Sequence, residues 1–599
     1  MTGSAKKGLS SLLSKWRSDR KYTTFDFNPV ATFSPFKMNC ISAVKMYITK
    51  MTDESGPGMK VLLMDKETTS VVSMVYGQSE IQQREVYLFE RIDAGNQEPM
   101  KHLKCIAFLR PTKENIHSLA MELRRPRYGS YYIYFSNITP KADIKTLAEA
   151  DEQEVVREIQ EFYGDFLAMG PHLFSLGIPI SYQSSGWDHD ILTRCVQGVT
   201  SVLLSLQKNP FIRYQNNSKM AKRLAETIRQ VLSKESELFE FRQSGSPPLL
   251  LILDRRDDPV TPLLNQWTYQ AMVHELLTIN NNRVSLAHVP GVSKELKEVV
   301  LSAEQDEFYA SNLYLNFGEI GQTIKELMDE FQKRSKSNRK LESIQDMKNF
   351  VEAYPQFKKM SGTVSKHVVL VGELASLMER YNLLEVSETE QELSCQEAHS
   401  QHLQHIRRLL ANEKVRHEDA AKLVMLYALR YENHSSNDTG GLIESLKRKG
   451  VSDRLVKMVR TVVEYGGAHA RQSDLFGHQD AVVQVTKRFF KDLRGVENVY
   501  TQHKPLLVET LEDLAKGRMK ETSFPFLGNN SNVATKRSQD IIVFIIGGAT
   551  YQEALSVHQI NQTPSLGIRV ILGGTTIHNS TTFLNEVDAA STRSRVQNL

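Results

Sequence analysis

The residues with the clearest chemical potential follow a buried strand at Leu249–Leu253, where the chain reads DRRDDP over 254–259. Clustered carboxylates bind Mg²⁺ at phosphoryl-transfer sites, so Asp254 and Asp257 are candidates for a carboxylate-dependent phosphohydrolase. Two arginines lie between them in sequence and compete with a metal ion for the same oxygens. A carboxylate at a strand end also caps the following turn or pairs with an arginine. The spacing favours this structural role.

A second candidate combines Cys395 with His399, His402 and His405, because Cys and His at such spacings recur in zinc sites. On a helix, however, each step of three residues turns the side chain by about 300°. The neighbouring Lys, Gln, Glu and Arg residues are typical of an exposed face. A solvated helix is therefore favoured over a metal site.

Two glycine pairs, Gly547-Gly548 and Gly573-Gly574, follow apolar strands. Neither pair belongs to a G-x-G-x-x-G or P-loop pattern, and no G-x-S-x-G elbow occurs. Tight turns between a strand and a helix explain the glycines better than a phosphate cradle does. The sequence thus predicts no catalytic residue, no metal site and no cofactor.

The composition is that of a large globular protein, with 599 residues, 40% hydrophobic and 24% charged. A net charge of +4 gives no electrostatic footprint for nucleic acid. The four cysteines lie far apart, which favours free thiols in a reducing compartment. No apolar run reaches the roughly 20 residues that cross a bilayer. We expect a soluble intracellular protein.

Residues 1–37 differ from the rest, because they are rich in Ser, Lys and Arg. Four apolar side chains recur there at helical spacing: Leu9, Leu12, Leu13 and Trp16. This pattern is typical either of a basic amphipathic helix at a membrane or of a transit peptide. A poorly ordered terminal extension is the favoured alternative, since the globular pattern opens at Met38.

Strands alternate with helices through most of the remaining chain. The apolar runs at 60–64, 86–89, 105–109 and 131–135 predict a parallel sheet covered on both faces. A second α/β region begins near Phe166, and helical patterns dominate between about Leu277 and Gly495. Strands return at 541–546 and 568–572. The C-terminal part should therefore complete the second sheet, with the helical block inserted in it.

Two helical patterns suggest binding surfaces. In Lys141–Ala150 and Asp151–Tyr163, apolar residues at helical spacing form either core or a shallow apolar groove with Glu161 at its rim. Between Met347 and Met378, Pro355 interrupts an apolar face, so that the helix should bend or end there. The second pattern is either a kinked bundle helix or a hairpin that offers a surface to another helix.

Eight stretches distributed along the chain match a known family: GPGMKVLLMDKETT (56–69), EVYLFERID (85–93), FLRPTKEN (108–115), TLAEADEQEVV (146–156), EFYGDF (161–166), HLFSL (172–176), LILDRRDDPVTPLL (251–264) and FIIGGATYQEA (544–554). Through these stretches the chain from Met38 to the C-terminus resembles the SM family, the soluble proteins that bind syntaxins and guide SNARE assembly.

The resemblance implies a three-domain arch with parallel α/β sheets in domains 1 and 2 and a mostly helical domain 3. Domain 1 would span 38–163, after the extension at 1–37. Domain 2 would combine 164–265 with 506–599, and domain 3 would span 266–505.

The resemblance further implies a protein that is not an enzyme. It would bind a syntaxin-class Qa-SNARE of the trans-Golgi network and endosomes and promote its SNARE complex, which includes an R-SNARE. A Rab effector of the rabenosyn type would be a further partner. The protein would be cytoplasmic and would reach Golgi and endosomal membranes through its partners. A passive trafficking scaffold is the alternative.

Family positions also carry over to individual residues. The syntaxin N-terminal peptide would meet Ile144, Ile159 and Glu161, to which helical spacing adds Leu147. Asp65 and Glu90 match acidic residues of the central cavity, although Ser70 and Gly77 replace the basic residues found there in relatives. Pro355 and Val368 fall on the hairpin that receives the R-SNARE.

Overall fold

The computed structural model describes residues 38–95, 98–183, 186–241, 245–338, 344–472, 475–476, 502–528 and 537–592. Side chains are described for these residues except 183, 334–338, 344–357, 359 and 592. The N-terminal extension and its predicted basic helix lie outside the described residues.

The first sheet has five strands: β1 (Lys60–Met64), β2 (Val86–Arg91), β3 (Met100–Leu109), β4 (Tyr128–Phe135) and β5 (Val156–Glu161). All of them are parallel, in the order β2-β1-β3-β4-β5. Strands buried on both faces read as continuous apolar runs, which is why four of the five were predicted from sequence.

Five helices accompany these strands, two of them between β1 and β2: α1 (Cys40–Glu54), α2 (Lys66–Val75), α3 (Gln78–Gln82), α4 (Lys113–Arg124) and α5 (Lys141–Ala150). Side chains just after strands start two of them. Asp65 accepts a hydrogen bond from the Thr68 amide at 2.7 Å, and Thr112 accepts one from the Asn115 amide at 3.2 Å. Such N-caps fix where a strand turns into a helix.

The fifth strand corrects the prediction from sequence. The spacing of apolar residues in 151–163 suggested a helix, but 156–161 is β5, whose Ile159 pairs with Ile133 of β4. Two β-branched residues, Val155 and Val156, begin this extended stretch, and β-branched side chains favour strands. Pairing with β4 therefore outweighed the apparent helical period.

The second sheet has six strands in the order β10-β11-β14-β16-β7-β6. They are β6 (Leu167–Gly170), β7 (Leu173–Ser175), β10 (Phe211–Tyr214), β11 (Leu249–Asp254), β14 (Asp540–Ile546) and β16 (Arg569–Gly574). Only β6 runs antiparallel to its neighbour. Short two-stranded pairs lie outside it: β8 (Tyr182–Gln183) with β9 (Gly186–Trp187), β12 (Arg283–Ser285) with β13 (Glu298–Val300), and β15 (Ala549–Thr550) with β17 (Ile577–His578).

The C-terminal strands complete this second sheet. Leu250 of β11 pairs with Ile542 of β14, and Leu572 of β16 pairs with Leu173 of β7. The sheet is therefore built from two chain segments that are separated by the long region between β11 and β14. The predicted insertion is confirmed.

The remaining helices are α6 (His189–Ser205), α7 (Lys219–Lys234), α8 (Tyr269–Leu277), α9 (Glu307–Asn312), α10 (Phe317–Asn338), α11 (Ile344–Arg380), α12 (Leu383–Cys395), α13 (His399–Ala411), α14 (His417–Arg430), α15 (Thr439–Arg448), α16 (Asp453–Gly466), α17 (Leu506–Ala515), α18 (Tyr551–Asn561) and α19 (Ser580–Thr592). The long pair α10 and α11 forms a helical hairpin. None of the described helices has the length and apolar character needed to span a bilayer.

Candidate functional site

The acidic cluster after β11 is a structural network. Asp254 is 6% exposed. One of its carboxylate oxygens accepts hydrogen bonds from the Tyr182 hydroxyl at 2.5 Å and the Arg256 amide at 3.0 Å. The other accepts one from the Ser218 hydroxyl at 2.5 Å. Both oxygens are therefore occupied. The bond from the Arg256 amide makes Asp254 the cap of the turn at 255–257, which confirms its predicted structural role.

Arg255 and Asp258 of this cluster also have charged partners. Arg255 is fully buried, and its guanidinium contacts both oxygens of Glu553 at 2.6 and 2.7 Å. Burial opposes ionisation of Asp258, but the positive charge of Arg255 holds the pKa of Asp258 below its usual value. No group of His, Cys, Asp and Glu side chains in the described chain is arranged to hold a metal ion.

Gly547 and Gly548 make the predicted turn after β14, whereas Gly573 and Gly574 lie within β16, so the predicted turn is wrong for the second pair. Gly547 and Gly548 have φ angles of 84° and 89°, which other residues adopt only at a cost. A Cβ atom at Gly573 would lie 1.9 Å from the Phe174 ring. The chain therefore needs glycine here for backbone geometry and close packing.

The helix with three histidines is more buried than its polar neighbours suggested. His402 is 1% exposed and shares a hydrogen bond of 2.7 Å with the Tyr431 hydroxyl. His405 faces Glu392 at 2.9 Å. The prediction of a solvated face is thus wrong for His402, because the segment that follows α14 covers it.

The predicted apolar peptide groove is filled by its own side chains. Ile144 and Leu147 of α5 are 1% and 2% exposed, and Ile159 of β5 is 2% exposed. All three belong to the apolar core between the helices and one face of the first sheet. In this structure they form core and no open groove, because α5 packs directly on the sheet. That a peptide binds here stays a prediction.

Glu161 already has partners inside the fold. Its carboxylate is 3% exposed and accepts hydrogen bonds from the Thr139 amide at 2.7 Å and the Tyr163 hydroxyl at 3.0 Å. It connects the end of β5 to the loop before α5. The carboxylate is therefore a structural acceptor, which corrects its placement at an open rim.

Asp65 and Glu90 lie on the first sheet but in different environments. Besides capping α2, the Asp65 carboxylate accepts hydrogen bonds from the Arg110 amide and the Asn115 side chain, each at 2.7 Å. Burial raises the pKa of Asp65 above its usual value, although these hydrogen bonds act to lower it. Glu90 is partly exposed, lies 3.3 Å from Arg127 and accepts from the Tyr128 hydroxyl. Only Glu90 offers a carboxylate near the surface.

An exposed apolar edge was missed from sequence. Tyr87, Leu88 and Phe89 of β2 are 53%, 39% and 39% exposed, and β2 is an edge strand of the first sheet. Exposed apolar edge strands are uncommon, because they invite pairing with another chain. The sequence VYLF resembles a buried central strand, and only the strand order reveals the exposed edge.

The hairpin carries the last two predicted residues. The helix α11 continues through Pro355, so of the two predicted outcomes, a bend or an end of the helix, the end is wrong and the bend stays a prediction. Helices tolerate an interior proline at a cost in stability when packing supports them. Val368 is partly buried and packs against the apolar core that includes β14 and β16.

A buried histidine anchors the second half of this hairpin. His367 of α11 is 0% exposed and hydrogen-bonds through Nδ1 to the Tyr269 hydroxyl at 2.7 Å. Its Nε2 lies 2.9 Å from Asp306, the N-cap of α9. Burial lowers the pKa of His367, so the neutral ring joins α11 to α8 and α9 at neutral pH. No sequence pattern marked this contact.

Comparisons with known proteins agree with this architecture. The Sec1 family model matches residues 60–586. Vacuolar protein sorting-associated protein 45 of Mus musculus is 65% identical, and that of Homo sapiens 64%, over 93% of this chain and 97% of each relative.

Among solved structures, "SM Protein Vps45 in Complex with Qa SNARE Tlg2" is similar, with a TM-score of 0.87 and 46% identity. The similarity covers 92% of this chain and 98% of that chain. Sequence and structure thus agree along nearly the whole described chain, including both sheets and the inserted helices. The chain belongs to the Sec1 family, whose members are the SM proteins that the sequence motifs resemble.

Proposed function

We propose that this chain binds a syntaxin-class Qa-SNARE and promotes the assembly of its cognate SNARE complex during vesicle docking and fusion. The observation that carries the proposal is the similarity, in both sequence and fold, to a family member solved with a bound Qa-SNARE. The sites of action would be the trans-Golgi network and endosomes. Association with these membranes through protein partners is part of the same proposal.

The physical advantage of such a protein lies in the cost of ordering its partners. SNARE segments that fold on binding lose conformational entropy when they meet. A surface that already holds one segment in a helical or extended form lowers the entropy that is lost when the next segment binds to it. A template needs surfaces of this kind and no catalytic group, so the proposal assigns the chain no enzymatic activity.

Two surfaces of the described chain suit these contacts. The exposed β2 edge around Phe89, with Glu90 beside it, offers apolar area and one carboxylate to the Qa-SNARE. The hairpin of α10 and α11 offers a long helical surface, which we assign to the R-SNARE. Capture of the syntaxin N-terminal peptide near α5 and β5, and binding of a Rab effector of the rabenosyn type, complete the proposed partners.

Calorimetry with the cytosolic part of a Qa-SNARE tests the proposal. The wild type should bind, and Phe89→Ser should bind more weakly. Losing the burial of a Phe side chain costs about 1.5–3 kcal/mol, a loss of roughly 10- to 150-fold in affinity. The control is Met121→Ser, which removes another exposed apolar side chain, 51% exposed on α4. A wild type that binds no Qa-SNARE would contradict the proposal, and equal losses in both variants would remove the β2 edge from it.

A further inference from the structure

The helix α7 concentrates positive charge. Within Lys219–Lys234 there are five cations and one carboxylate, a surplus of four positive charges in a helix of 16 residues. The surplus of the whole chain is also +4. Charge is therefore unevenly distributed, and this helix is one place where it accumulates. The cations are Lys219, Lys222, Arg223, Arg229 and Lys234.

The cations of α7 are exposed and largely unpaired. All five are exposed, and among the residues that the structure describes only the Arg229 side chain donates a hydrogen bond, to the Leu527 carbonyl at 2.6 Å. Some cations elsewhere on the second α/β unit have an acidic partner, as Lys208 has in Asp540 at 2.7 Å. The other four cations of α7 form no ion pair with any described residue. Their charge is free to act on a partner.

The position of these cations works against the helix itself. Lys219 and Lys222 lie in the first turn, which contains no acidic residue. The partial positive charge of a helix N-terminus disfavours cations there. Ser218 compensates in part, because its hydroxyl caps the Ala221 amide at 3.0 Å. Residues that break a local rule of stability in this way are often retained for a function.

The opposite face of α7 is packed in the apolar core. Leu224, Ala225 and Ile228 are 0% exposed, so the helix cannot roll over and insert an apolar face into a membrane. No large apolar side chain of α7 is exposed. Protein interfaces usually depend on buried aromatic or apolar anchors, which this face lacks. A broad anionic surface fits it better than a folded protein partner does.

We propose that the exposed face of α7 rests on an anionic lipid surface and orients the protein on the membrane. The contact would be electrostatic and peripheral, strongest over the first three turns, since Glu235 and Glu237 follow the helix. It is additional to recruitment by SNAREs and does not depend on it. Screening by salt should weaken the contact, because the Debye length falls to about 3 Å at 1 M salt.

The test is co-sedimentation of the full chain, without SNAREs, with vesicles of phosphatidylcholine alone and of phosphatidylcholine and phosphatidylserine in a two-to-one ratio. The wild type should bind the second kind only. Each Lys or Arg near an anionic surface adds about five-fold to binding, so Lys222→Gln/Arg223→Gln should bind roughly 30-fold more weakly. Its melting temperature should be unchanged or higher, since the first turn loses an unfavourable cation.

The matched control is Lys457→Gln/Arg460→Gln, which removes two exposed cations from α16 and the same total charge. It should bind the vesicles about as well as the wild type. Three results would each overturn the proposal: equal binding of wild type to neutral vesicles, equal loss in the control, or full binding by the α7 variant. A variant that loses Qa-SNARE affinity while the wild type ignores all vesicles would instead identify α7 as a protein contact.

Discussion

At the residue scale, Asp254 has the position of a catalytic carboxylate, but its oxygens make hydrogen bonds that stabilise the fold. It follows a parallel strand, where open α/β sheets often bind ligands. Its two oxygens accept three hydrogen bonds from Tyr182, Arg256 and Ser218. The guanidinium of Arg256 lies 4.3 Å from the Tyr182 ring centroid, which places a cation against the same network.

Asp254→Asn should therefore lower stability without removing any activity. The amide keeps one acceptor oxygen but places an NH₂ group against the Ser218 hydroxyl and removes the charge. We expect a loss of about 1–3 kcal/mol in the free energy of unfolding, measured by denaturant titration. Asp190→Asn, at an exposed position on α6, is the control and should change stability by less than about 0.5 kcal/mol. Metal-dependent phosphatase activity in the wild type that the variant lacks would contradict the non-enzymatic account.

The roles of single residues were predictable where their hydrogen-bond partners lie close in sequence. Asp254 was identified as a capping group at a strand end, and the Arg256 amide that it caps is two residues away. Glu161 was not predictable in the same way, because Thr139 lies 22 residues before it and only the packing of β5 brings them together. The buried contacts of His367 with Tyr269 and Asp306 arise from tertiary packing for the same reason.

At the scale of elements, continuous apolar runs were reliable and short amphipathic patterns were not. The strand Lys60–Met64 was predicted with its correct bounds, since a strand buried on both faces needs apolar residues at every position. The apolar residues of 156–161, Val156 and Ile159, lie three positions apart, which fits a helix and not the alternation of a strand, so that only pairing with β4 decided the outcome. A run such as VYLF likewise does not show whether its strand lies at the edge of the sheet, because this depends on the strand order.

Pro355→Ala tests the hairpin at this scale. The helix α11 already runs through Pro355, so the substitution cannot lengthen it. Alanine restores an amide hydrogen bond and removes a steric clash, together worth about 3 kcal/mol or more in a helix interior. The continuous helix should therefore become more populated relative to any form in which the helix is broken at residue 355. Amide hydrogen exchange in 344–358 should slow.

If the continuous helix is the form that binds the R-SNARE, its larger population should raise the apparent affinity. Calorimetry with the R-SNARE, in the presence of the Qa-SNARE, measures the change. Pro140→Ala is the control, since Pro140 is the N-cap of α5 and far in sequence from the hairpin. Unchanged exchange together with unchanged affinity would show that Pro355 does not control which form of the hairpin is populated.

At the scale of the whole molecule, the two sheets and the helical region are joined by buried polar contacts. Asp165 follows the first sheet and pairs with Arg110 at 2.9 Å and with Arg194 of α6 at 3.2 Å. His367 ties the hairpin to α8 and α9. The β2 edge and the hairpin, which we propose as partner surfaces, thus belong to parts of the chain that buried polar contacts tie to their neighbours.

Completion of the second sheet by the C-terminal strands was predictable at this scale, because apolar strand patterns return at 541–546 and 568–572 after the long helical block. The orientation of exposed surfaces was not, because it depends on which strands end at an edge. Prediction of the family came from motifs distributed along the chain, and the proposed partners follow from that membership together with the exposed surfaces of β2 and the hairpin.

The rate of SNARE assembly tests the central claim most directly. Purified Qa-, Qb-, Qc- and R-SNARE cytosolic segments, labelled for energy transfer, are mixed with and without this chain. The account predicts faster assembly with the wild type and little acceleration with Phe89→Ser. Binding of the Qa-SNARE without any increase in the rate would contradict it and would identify the chain as a passive scaffold.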